Sequence, residues 1–169
     1  MKNTKKISFA AIVAALAVIV LYIAAFVPSG KLALSAVAGI FIAAVLIECG
    51  WVSALCCFAA VSAISLLLLP QRFPGLMFLV FFGYYPLIKS FAERRKNRVF
   101  EWVIKLAVFN IAALLLELGL ISGFLAGVEL PGVPVYVIWL VSNAVFVIFD
   151  FGFSALISYY LRAIHSKIK

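Results

Sequence analysis

The sequence predicts an all-α membrane protein of six transmembrane helices with both termini on the cytoplasmic side, and three observations carry that prediction. Hydrophobic residues fill 67% of the 169 positions and charged residues only 12%, too little polar surface to clothe a soluble globule. The mean hydropathy is +1.26, and the apolar runs are long and continuous rather than alternating. Backbone groups in lipid must be satisfied within their own segment, so such runs select helices over a barrel. Finally, Lys2, Lys5, Lys6, the basic cluster at 94–98, Arg162, Lys167 and Lys169 fall on one side if there are six spans, leaving Lys31 and Arg72 on the other. Excess Lys and Arg mark the cytoplasmic side, and an odd number of spans would destroy the asymmetry.

The first helix is expected over residues 7–27, where an apolar run of roughly 21 residues exceeds the hydrophobic region of a signal peptide and reads as a retained span. Ala10, Ala11, Ala14 and Ala15 repeat Ala-x-x-x-Ala in two overlapping registers. Such a flat face lets another helix backbone approach closely in lipid. Pro28-Ser-Gly-Lys31 turns the chain into a short second span, 32–47, and Glu48-Cys-Gly-Trp51 into a third, 52–69, rich in Ala and Ser. Pro70-Gln-Arg-Phe-Pro74 precedes the fourth span, 75–91, where Pro86 lacks an amide donor and predicts a kink near Phe82. The fifth and sixth spans, 100–124 and 135–161, are joined by the Gly- and Pro-rich stretch 126–134, which reverses the chain. Trp51, Trp102 and Trp139 fall near the expected interfaces, an ordinary place for tryptophan. Residues 1–169 read as a single transmembrane domain without an internal repeat.

Chemistry is expected where polar groups enter these spans. Asn110 and Glu117 are seven residues apart, as are Asn143 and Asp150, so each pair occupies one helix face over two turns. With the helices antiparallel, Asn110 (about 14 Å deep) is expected opposite Asp150 (about 18 Å), and Glu117 (about 24 Å) opposite Asn143 (about 28 Å). Carboxylates at such depth normally face a bundle interior or a wet path. The four residues either line a solute site or hold the two helices together. Tyr84, Tyr85 and Trp139 are the aromatic candidates for the wall of such a site, with packing as their ordinary alternative. No Lys or Arg reaches the depth of the outer rung, which favours a neutral or cationic solute over an anion. Lys89 with Glu93 and Glu101 with Lys105, each four apart near the inner ends, are expected to be locally paired, snorkelling charges without a role.

Several classes are excluded as expectations. The net charge of +8 comes from clusters between apolar runs, so nucleic acid is not an expected partner. Cys49, Cys56 and Cys57 form no C-x-x-C pair with a histidine nearby, and they read as small packing residues rather than metal ligands. His165 lies beyond the last span among basic residues. With no nucleophile-and-base pair and no phosphate- or dinucleotide-binding motif, neither an enzyme nor a resident cofactor or metal is expected.

Six short helices in this length, both termini inside, and an opening of Lys5-Lys-Ile-Ser-Phe-Ala-Ala-Ile-Val-Ala-Ala15 resemble the substrate-binding S components of energy-coupling factor vitamin transporters. The resemblance implies a multi-pass subunit of a bacterial cytoplasmic membrane that captures a small vitamin-like solute outside. It implies that Ala10 and Ala14, with Ala11 and Ala15 beside them, dock on a transmembrane coupling subunit driven by two cytoplasmic ATPases. The substrate would sit in the outer half among helices four to six. The alternative is a non-transporting membrane scaffold on the same six helices.

Overall fold

The computed structural model describes residues 3–94, 98–121 and 135–162, and these are helical apart from short turns. In order they form α1 (Asn3–Phe26), α2 (Lys31–Cys49), α3 (Trp51–Leu68), α4 (Arg72–Met77), a π turn (Phe78–Phe82), α5 (Tyr85–Glu93), α6 (Arg98–Ile121) and α7 (Val135–Tyr160). Six helical segments are long and apolar enough to cross a membrane, with the α4, π-turn and α5 stretch, Arg72–Glu93, counting as one. An all-α chain of this kind is consistent with a multi-pass membrane protein. The reversing stretch 126–134, His165, Lys2, Lys167 and Lys169 lie outside the described residues.

The chain divides into two units, Met1–Phe91 with Leu156–Lys169, and Ala92–Ala155. In the first unit α1 packs on α2 and α3 through small residues. Ala17, Leu21 and Ala24 recur at helical spacing and have no exposed surface, and Ala38, Ile42 and Val45 on α2 and Ala54 and Val61 on α3 are equally buried. The alanines among these positions bring the helix backbones close, and the larger Leu21, Ile42, Val45 and Val61 fill the space between them. Two thiols reach across to α1: Cys49 Sγ donates to the Lys6 carbonyl at 3.4 Å and Cys57 Sγ to the Ala10 carbonyl at 3.9 Å. The Ala-x-x-x-Ala ladder is thereby split. Ala10 and Ala14 are half-buried against the unit's own core, while Ala11 and Ala15 are exposed. The exposed small residues of the ladder are thus Ala11 and Ala15, whereas Ala10 and Ala14, expected to lead a docking face, pack toward the unit's own core.

α2 and α3 are joined by Gly50 alone, at φ 92° and ψ 178°, a region that side-chain-bearing L residues avoid. The fourth segment begins earlier than the sequence suggests, because Pro74 sits in the first turn of α4, where its missing amide has no helical acceptor. The expected break at Phe82 takes the form of a π turn: the Gly83 amide donates to the Phe78 carbonyl, five residues back, at 2.7 Å. Pro86 then falls in the first turn of α5, where it is tolerated for the same reason as Pro74. The Phe82 carbonyl presses on α2, for a Cβ at Gly39 would lie 2.5 Å from it. Glycine at 39 is required by this close approach.

Candidate functional site

The second unit holds Asn110, Glu117, Asn143 and Asp150, the polar candidates that the sequence places inside the last two spans. Along α7, Trp139, Asn143, Phe146, Asp150 and Phe153 recur at alternating steps of four and three residues, which places them on one stripe. On α6, Lys105 and Ala112 are buried and Phe109 is half-buried, with Glu101 one turn before Lys105. Antiparallel pairing of these two stripes makes a ladder of side-chain contacts.

At one end Lys105, 1% exposed, sits between three carboxylates. Its Nζ lies 3.0 Å from Asp150 Oδ2, 2.5 Å from Glu101 Oε1 and 3.2 Å from Glu93 Oε1, so each ammonium N–H has a charged acceptor. The same ammonium stands 5.5 Å from the centroid of the Trp102 ring, a cation–π distance. Asp150 is 3% exposed. Next along the ladder, Phe109 stacks on Phe146 at 4.4 Å with the rings 19° apart.

Beyond the rings the two asparagines face each other. Asn110 Nδ2 donates to Asn143 Oδ1 at 3.0 Å and Asn143 Nδ2 donates to Asn110 Oδ1 at 3.2 Å. Each amide spends its second N–H on its own helix, Asn110 on the Leu106 carbonyl and Asn143 on the Trp139 carbonyl. Both donors of both amides are therefore engaged. At the far end the Trp139 indole Nε1 donates to Glu117 Oε2 at 3.3 Å, and both residues are half-buried.

These contacts correct the expected rungs. Asn110 meets Asn143 rather than Asp150, a slip of seven residues, and Glu117 meets Trp139 rather than Asn143. The physical reason lies in Asp150: a buried carboxylate is far better matched by an ammonium than by a neutral amide, and Lys105 supplies one. The expected local pair of Glu101 with Lys105 is present, but Lys105 is buried instead of snorkelling to solvent and takes Asp150 and Glu93 as further partners, and Lys89 too is buried, at 2% exposure, in the first unit. Lys105 is the residue that sequence reasoning missed. A signal existed, since Asp150 required a cation and Lys105 is the lysine that lies within α6.

The remaining candidates belong to the first unit. Tyr84 is half-buried and meets Phe58 edge-on at 6.2 Å, and Tyr85 is 5% exposed. Among the described residues no group of three or more His, Cys, Asp or Glu side chains is placed to hold a metal ion. The chain matches no family model, no curated protein and no solved structure.

Proposed function

We propose that the chain is a membrane-embedded solute-binding subunit that captures a small neutral or cationic, vitamin-like solute at the Glu117 and Trp139 end of α6 and α7. The observation that carries this reading is the state of Glu117: a carboxylate on an apolar helix, held by an indole N–H. A carboxylate there keeps acceptor capacity beyond that one bond, which a solute donor or cation can use. Asn110 and Asn143 act in this reading as positioning residues, because their donors are committed to each other and to their own helices. Tyr84 and Tyr85 serve as packing aromatics.

In this reading the chain carries out no reaction of its own. It works in a bacterial cytoplasmic membrane with both termini inside, alongside a transmembrane coupling subunit and cytoplasmic ATPases. Exposed Ala11 and Ala15 offer the partner its close approach.

A second reading, a non-transporting scaffold, is favoured by the closed Asn110 and Asn143 amide pair, which has the character of helix-to-helix glue. Ligand-dependent thermal shifts of the purified chain against a panel of small metabolites separate the two. The solute-binding reading expects a shift for at least one neutral or cationic metabolite, abolished by Glu117→Gln without loss of unliganded stability. A tight anionic ligand indifferent to Glu117→Gln would refute it.

A further inference from the structure

The α6 and α7 ladder already contains one ammonium site, and its occupant is part of the chain. Lys105 Nζ is gripped by Asp150, Glu101 and Glu93 and lies near the face of Trp102. Stripped of its tether, that arrangement is acidic oxygens around an ammonium head with an indole beside it, the combination that recognises organic cations in general. At the opposite end of the same ladder the ingredients recur: the carboxylate of Glu117 and the indole of Trp139. No Lys or Arg among the described residues is ion-paired with Glu117.

We infer that the Glu117 and Trp139 pair is an ammonium-recognition subsite, so that the captured solute carries an organic ammonium group. The inference rests on the solute-binding reading above and narrows its neutral-or-cationic class to cations. Three observations converge on it. The hydrogen bond from Trp139 Nε1 uses the edge of the indole, leaving its π-face uncommitted to hydrogen bonding. Both amides next along the ladder have spent their N–H groups, so the neighbourhood offers acceptors rather than donors to an incoming group. An acceptor-rich site built around a carboxylate on an apolar helix selects a donor bearing positive charge, since a cation gives the carboxylate a charge-assisted partner that no Lys or Arg among the described residues supplies. An anion would meet repulsion, and a neutral group would leave the charge unmatched.

The test uses the full chain in detergent micelles and a matched set of probes: choline and n-butylammonium as cations, 3,3-dimethylbutanol as the neutral isostere of choline, and butyrate as the anion. Two readouts are taken, the thermal shift and the fluorescence of Trp139 in a Trp51→Phe, Trp102→Phe background. The expected result is binding of one or both ammonium probes at least about tenfold tighter than 3,3-dimethylbutanol. Glu117→Gln should weaken that binding about tenfold or more, and Trp139→Leu should abolish the preference for the cation over its isostere. Unliganded melting of each variant close to that of the parent shows that the fold is intact, and Glu117→Asp should restore part of the affinity if the charge is what matters.

Equal affinity for choline and 3,3-dimethylbutanol, with both lost in Glu117→Gln, overturns the ammonium inference while leaving the solute-binding reading in place. Indifference of every probe and of the metabolite panel to Glu117→Gln overturns both. Preferential binding of butyrate overturns the inference directly.

Discussion

In the first unit the side chains with no exposed surface include Ala17, Leu21, Ala24, Ala38, Ile42, Val45, Ala54, Val61 and Phe78, mostly small or aliphatic, whereas in the second the deepest large side chains are Lys105 and Phe153. Both units are cut from the same apolar composition, yet they cohere by different means. Of the most apolar stretch of α2, 39% is buried, against 11% for α6, so α6 cannot be held by apolar packing of the kind that fastens α2. The first unit relies on close backbone approach and many small dispersion contacts, which fail gradually. The second relies on a few directional polar contacts, and such contacts fail abruptly when one partner is removed. Helices that must stay together while exposing most of their surface are served by the second strategy.

The comparison breaks most visibly at Lys105. Lys105→Met leaves Asp150 buried without its ammonium and should cost about 3–5 kcal/mol, read as a fall in melting temperature in detergent. Lys105→Met combined with Asp150→Leu should recover most of that loss, because Glu93 and Glu101 are 44% and 21% exposed and keep access to solvent. Single and double variants that melt alike would show that no charge pairing holds this end of the ladder.

A smaller loss is expected in the first unit. Gly39→Ala places a methyl 2.5 Å from the Phe82 carbonyl and forces α2 and the π turn apart, at about 1–3 kcal/mol. Melting unchanged from the parent would mean that this approach contributes nothing. The smallest effect is expected at the amide pair, where Asn143→Leu should cost about 1 kcal/mol. The double change Asn110→Leu with Asn143→Leu should cost no more than the single one, since removing both partners leaves no orphaned amide behind. Strictly additive losses would contradict the reciprocal bonding seen here.

Much of this architecture was legible in the residues. Continuous apolar runs located all six spans, and Pro28, Gly30, Gly50 and Pro70 marked the turns between the first four, because glycine and proline restrict what the backbone can do. The stripes on α6 and α7 were equally legible from the seven-residue spacing. What periodicity could not supply was the register between them. Two antiparallel alignments both pair polar groups, and spacing weighs an amide the same as an ammonium. The energetic difference decides: Asp150 is satisfied by Lys105 in one alignment and by an amide in the other. Lys105 reads as a snorkelling charge without a role because a lysine near a helix end ordinarily reaches for water. The π turn was half legible, since Pro86 demanded an interruption without specifying that it would be met by widening one turn.

Gly50 carries a consequence of handedness. A side chain there would meet nothing within 4 Å, so the position is reserved by dihedral angles and not by space, the reverse of Gly39. Its φ of 92° and ψ of 178° are the mirror image of ordinary extended backbone. A D-alanine at position 50, introduced by chemical ligation, would occupy this conformation as comfortably as an L-alanine occupies a strand, and it would stiffen the unfolded chain, stabilising the α2 to α3 joint by about 0.4–1 kcal/mol. L-alanine at the same position would resist it. The joint between two long helices is thus a chiral latch one residue wide, achiral only because glycine happens to fill it.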